Sequence, residues 1–116
     1  MAYIMSYVAA VPTDKKDAYS KHAALAAQIF KDHGATRVVE CWGDEVPPGE
    51  VTSFPRAVQA RDDETVVMGW QEWPDKATHD AGMPQAMQDS RFQSVREVPF
   101  DGKRLIFAGF QKLLDI

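Results

Sequence analysis

Apolar side chains recur at every second position in four stretches of this chain, and at three- and four-residue steps in a long stretch between the first two. The densest alternating run is Glu64–Trp73, ETVVMGWQEW, bounded by Asp62-Asp63 and Pro74. Thr65, Val66 and Val67 are β-branched, and Trp70 and Trp73 are broad and flat; such side chains pack well on a pleated surface and lose rotamer freedom in a helix. Alternation places Val66, Met68, Trp70 and Glu72 on one face and Thr65, Val67, Gly69, Gln71 and Trp73 on the other. Apolar groups on both faces predict a central strand with neighbours on either side and a layer above and below. Gly69 is out of place in a strand interior: it reads as a point where a ring or another backbone packs close, or as space kept for a ligand.

The first strand is Tyr3–Val11, with Tyr3, Met5, Tyr7, Ala9 and Val11 opposite Ile4, Ser6, Val8 and Ala10, and Pro12 ends it. Thr13 reads as the N-cap of an amphipathic helix whose buried stripe is Ala18, His22, Leu25, Ile29 and His33, with Ala26 and Phe30 beside it. Gly34 supplies the stop. Thr36–Gly43 is a second strand, with Val38, Glu40 and Trp42 on one face. Residues 44–63 show no period and carry Pro47, Pro48, Gly49 and Pro55, so the spacing predicts a long connection, with Phe54–Ala60 an edge strand or an extended arm. Beyond the central strand, Asp75 caps a second helix that starts at Lys76, and Pro84 predicts a kink or break near Gly82–Met83. Arg91–Val98 reads as a further short helical turn, Asp101-Gly102 as a tight turn, and Lys103–Leu113 as the last strand.

The order βαββαβ is that of an α+β, ferredoxin-like domain spanning residues 1–116: an antiparallel four-stranded sheet with two helices on one face. Aromatic and aliphatic groups on the other face then lack a cover. A patch of that kind marks an interface or a ligand groove, and a homodimer in which two sheets meet face to face, or curl into a shared barrel, removes it. Composition refines this picture little. At 45% hydrophobic and 26% charged the chain is globular; a net charge of −4 disfavours nucleic acid or an anionic membrane as a partner; the lone Cys41 suits a reducing cytoplasm; and no apolar run approaches the roughly 20 residues of a membrane span.

Three segments, CWGDEVPPGEVTSFPRAV at Cys41–Val58, ETVVMGWQEWPDKATHD at Glu64–Asp80 and PFDGKRLIFAGF at Pro99–Phe110, together with the opening strand, resemble the YbaA-like family, domain of unknown function 1428. The resemblance covers nearly the whole chain and implies membership of the dimeric α+β barrel superfamily. It departs from the family pattern at Gly82–Pro84, and it brings no activity with it.

Candidate chemistry is sparse. His22 lies on the helix stripe and reads either as a core histidine satisfied by a carbonyl or carboxylate, or as a general base or ligand anchor at a pocket edge. Glu40 alternates with Val38 and Trp42, so it points inward or into the dimer groove, where it reads as half of a structural ion pair with Arg104 or Arg37 or, with His22, as a catalytic candidate. Trp42, Asp44, Trp70 and Arg104 are candidate ligand-binding residues, each with a plainer role in core, turn or ion pair. His33 reads as a helix-end cation and His79 as exposed. No Gly-rich phosphate loop, nucleophile elbow or tight histidine spacing is present, so no cofactor and no metal are expected. The reading that fits best is a homodimer binding a small molecule in a groove between sheet and helices near His22, Glu40, Trp42 and Asp44. The alternatives are a cofactor-independent monooxygenase- or isomerase-type enzyme, an analogy with the superfamily, and a non-catalytic structural or partner-binding dimer.

Overall fold

The computed structural model describes residues 1–116. Strands β1 (Tyr3–Pro12), β2 (Arg37–Trp42), β3 (Glu64–Trp73) and β4 (Ile106–Gln111) form one antiparallel sheet in the order β2-β3-β1-β4. Helix α1 (Lys16–Asp32) links β1 to β2, and α3 (Lys76–Gln88) follows β3; a single turn, α2 (Phe54–Ala57), lies in the long connection and another, α4 (Gln93–Arg96), precedes β4. This is the ferredoxin-like topology that the alternation implies. The two longest strands, β1 and β3, pair over their full ten residues at the centre, Tyr3 opposite Trp73 and Pro12 opposite Glu64. That register fixes the faces: Ala9, Val11 and Val67 turn toward Tyr19 and Ala23 of α1, while Ala10 and Val66 turn to the other side.

Several elements differ from the sequence expectation, each for a local reason. Thr13 does not cap a helix; Thr13–Lys15 forms a 3-10 turn, and the Thr13 hydroxyl meets that of Thr65 at 2.8 Å. The fully buried residues of α1 are Tyr19, Ala23 and Ile29, so the stripe is rotated from the His22–Leu25 line, and His22 is only partly covered. Gly34 does close the helix, at φ +122°, a left-handed conformation that glycine alone adopts without strain. The Phe54–Ala60 segment is not extended. Ser53 accepts a hydrogen bond from the Arg56 amide and nucleates the α2 turn, and the Arg56 guanidinium donates to the carbonyls of Pro48 and Gly49, folding the proline-rich arm back on itself. Val58 then plugs against Ala10 and Val66, so the connection covers one end of the helix-free face.

Helix α3 runs unbroken through Pro84, against the expected break at Gly82–Met83. Proline removes one main-chain bond, but tertiary packing holds the turn. A Cβ on Gly82 would lie 2.2 Å from the His33 carbonyl oxygen and 2.8 Å from the Trp73 ring. Gly82 is therefore the point where α3 touches the end of α1, not an interruption. Asp89, just beyond α3, receives His33 at 2.9 Å and Arg91 at 2.8 Å, and Arg91 also reaches Asp32 at 2.8 Å, which ties the two helix ends together. The last strand is shorter than Lys103–Leu113, because the Asp101 carboxylate caps a 3-10 turn over Gly102–Arg104 by accepting from the Lys103 amide at 3.0 Å. No helix is long and apolar enough to cross a membrane.

Candidate functional site

Between the helix-bearing face of the sheet and helices α1, α3 and α4 lies a cavity of about 390 Å³. Its wall is mostly apolar, with Met5, Phe30, Met83, Phe92, Phe100 and Phe107 among the lining side chains. Six polar side chains interrupt that wall: Tyr7, Tyr19, His22, Glu40, Gln71 and His79.

The polar cluster follows from strand register. Tyr7 on β1, Gly69 on β3 and Glu40 on β2 stand in one row across the sheet. Because Gly69 has no side chain, the Tyr7 ring lies over it; a Cβ there would sit 2.9 Å from both the ring edge and the hydroxyl of Tyr7. The Tyr7 hydroxyl thereby spans the central strand and donates to Glu40 Oε2. From above, Tyr19 of α1 donates to Oε1 at 2.6 Å. Burial, with the Glu40 carboxylate as hydrogen-bond acceptor, pushes both phenols far above the usual tyrosine range. They stay protonated and hold the carboxylate in place, so neither phenol serves as a base or nucleophile. The close approach at Gly69 is the ring-packing alternative named above.

Two imidazoles complete the cavity wall. His22 Nε2 donates to the Val95 carbonyl at 2.9 Å, which pins α1 to α4, and its Nδ1 is buried without a partner. His79 is not exposed as expected but 8% accessible. Its ring stands edge-on to Trp73 at 5.3 Å and tilts against Tyr3 at 4.9 Å. Its Nδ1 donates to Asp80 at 2.9 Å, and its Nε2 is buried without a partner. Gln71 is buried beside it, with Oε1 accepting the Trp73 indole N–H at 3.1 Å.

Of the residues singled out from the sequence, the structure brings His22 and Glu40 to this cavity and disperses the rest. Trp42 walls an outer groove between α1 and β2, with the Lys16 ammonium 5.5 Å from its ring. Asp44 lies in a depression formed by the long connection. Trp70 is on the helix-free face, in a shallow basin with Ile4, Arg37 and Phe110. Neither arginine pairs with Glu40: Arg37 reaches Glu72 at 3.5 Å, and Arg104 grips Glu64 with both terminal nitrogens, at 2.6 and 2.7 Å, while also bonding Asp101 and the Gln59 carbonyl. Arg104 is thus committed to an ion pair, and tyrosines occupy the place at Glu40. Tyr7, Tyr19, Gln71 and His79 were passed over as site residues. The signal for Tyr7 and Tyr19 was present: Gly69 marks where a neighbouring ring crosses, and Tyr19, Ala23, Ala26 and Phe30 repeat at four, three and four residues.

The Glu64 contact carries a pH signature. Arg104 holds the Glu64 carboxyl at about 2, well below its ordinary 4.5. A depressed acid stabilises the fold above its unfolded value and loses that contribution as pH falls through the folded one. The difference in Tm between the native chain and Glu64→Gln is therefore expected to be full above about pH 5 and to close as pH falls toward 2. A difference that does not change with pH would show that the ion pair contributes nothing.

The sequence profile of a protein of unknown function family, DUF1428, matches residues 2–102. The chain belongs to that family. It is 49% identical over 116 residues to the uncharacterized protein YbaA of Escherichia coli K12, covering 99% of each chain, and it is as similar to the YbaA proteins of Escherichia coli O157:H7 and Shigella flexneri. Among solved structures it is similar to a dimeric ferredoxin-like protein from an uncultured marine organism, at 13% identity and a TM-score of 0.48, covering 99% of this chain and 94% of that one.

Proposed function

We propose that this DUF1428 protein binds a small, largely apolar molecule in the cavity between sheet and helices, with Glu40, held by Tyr7 and Tyr19, as the polar anchor. The observation that carries this reading is a 390 Å³ cavity with an apolar wall that nevertheless holds one carboxylate and two imidazoles. Glu40 is exposed at the rim with both oxygens paired, but each imidazole keeps one buried nitrogen unpaired, which costs a purely structural core about 1–3 kcal/mol apiece, and ligand sites combine an apolar wall with a few convergent polar groups. The test fills the space. Ala26, on the lining, replaced by leucine is expected to fold and to lose the thermal upshift that alkylphenols give the native chain. Equal upshifts in both proteins would place binding elsewhere.

The binding unit in this reading is a homodimer built on the helix-free face. Supporting it, Ile106 and Phe110 are 43% and 54% exposed there, in a field with Ile4, Val39 and Trp70. The native chain is expected to sediment as a dimer and Phe110→Asp as a monomer; a native monomer at micromolar concentration would refute the pairing. Cys41 is an exposed free thiol on that face, which suits a reducing cytoplasm.

A further inference from the structure

The hydrogen-bonding capacity left over in the cavity has a definite sign. A carbonyl and a carboxylate only accept, so the contact to Val95 fixes the His22 proton on Nε2, and the contact to Asp80 fixes the His79 proton on Nδ1. In the neutral ring the second nitrogen is then an acceptor. His22 Nδ1 and His79 Nε2 are those second nitrogens, both buried and both without a partner. The Glu40 carboxylate takes one hydroxyl on each oxygen and has about two further lone-pair sites, since a carboxylate offers about four. The two tyrosine donors are used up on it. Gln71, with its carbonyl end bound to Trp73, retains its NH₂ as the one uncommitted donor among the lining side chains. No lysine or arginine lines the cavity, and Glu40 is its only charge.

We infer that the cavity takes a largely apolar molecule whose polar end is a neutral hydroxyl, phenolic or alcoholic, and rejects carboxylates and other anions. This rests on the cavity being a binding site. A hydroxyl hydrogen answers Glu40, the accessible acceptor, or an orphaned imidazole nitrogen once its covering side chains shift, and the same oxygen can accept from the Gln71 amide. An ether or ester oxygen offers no hydrogen and leaves the acceptors unpaired. A carboxylate offers none either and sets a second negative charge beside Glu40, with no cation among the lining side chains to offset it.

The test is a matched series differing only in the head group: 4-propylphenol, 4-propylanisole and 4-propylbenzoate, titrated calorimetrically at pH 8. The phenol is expected to bind about tenfold or more tighter than the anisole, since an unpaired buried acceptor costs on the order of one decade in affinity; the benzoate is expected to show no saturable binding. His22→Phe, His79→Phe and Glu40→Gln each remove an acceptor, and at least one should narrow the ratio of phenol to anisole affinity while leaving anisole affinity within about twofold. Equal affinities for phenol and anisole, tighter binding of the benzoate, or a preference untouched by all three substitutions would overturn the head-group assignment alone. No binding by any of the three would overturn both it and the cavity as a binding site.

Discussion

Replacing Trp73 by alanine is expected to destabilise the fold by about 3–5 kcal/mol, the usual cost of emptying a large aromatic site in a core. Trp73 is 0% exposed, and the end of α1 and helix α3 close on it. Gly34 at the end of α1 and Gly82 in α3 have no side chain, and a Cβ at either would come within 3.3 and 2.8 Å of its ring; His79 packs edge-on against it. Its indole N–H is donated to Gln71, so truncation also strands a buried amide oxygen. The two glycines have no side chain of their own to move into the space. Chemical denaturation should show the loss, with a fall in Tm on the order of 10–20 °C. Trp70→Ala, on the helix-free face, should cost less in monomer stability and, in the proposed homodimer, act mainly on dissociation. A Trp73→Ala loss under about 1 kcal/mol would mean that α3 docks through other contacts.

Gly69→Val carries the second large effect, because it strikes the sheet and the site together. A Cβ at this position meets the Val39 carbonyl at 2.6 Å and the Tyr7 ring at 2.9 Å. Overpacking of this kind costs about 1–3 kcal/mol, and displacing Tyr7 also removes its hydrogen bond to Glu40, where bonds to charged groups contribute about 1.5–3 kcal/mol. Tyr7→Phe isolates the second part. The combination Tyr7→Ala with Gly69→Ala should cost clearly less than the sum of the two single changes, since the ring that clashes has already gone; contacting residues couple in this way. Strict additivity in urea denaturation would show that Tyr7 does not cross the strand at Gly69.

The sheet was legible because alternation is a local signal that a register of strands then amplifies. Each strand face read from Glu64–Trp73 and Tyr3–Val11 is the face found, and Gly69 pointed to the close approach of a ring or backbone, both of which the structure shows there. Misreadings arose where tertiary contacts overrode a local rule. Pro84 signals a break, yet the packing of Gly82 on Trp73 and His33 keeps α3 whole. Prolines around Phe54 suggest an extended arm, yet Ser53 and Arg56 wind it into a turn. Partners of Glu40 were sought among arginines by charge, but opposite charge says nothing about proximity. Arg104 is held 40 residues away in sequence by Glu64, and what stands beside Glu40 in the sheet row is set by register, which places Tyr7 there. His79 looked exposed because the apolar stripe of α3 is thin, and its ring partners, Tyr3 and Trp73, come from two strands.

The methionines give the most direct check of where a ligand sits. Met5, Met83 and Met87 line the cavity, whereas Met68 lies on the helix-free face beside Cys41 and Phe54. With the methyl groups labelled with carbon-13, titration of 4-propylphenol into the 116-residue chain should shift the Met5, Met83 and Met87 resonances along one saturation curve and leave Met68 unmoved. Saturable shifts confined to Met68, or no shift at any of the five methionines at millimolar ligand, would contradict the cavity as the binding site.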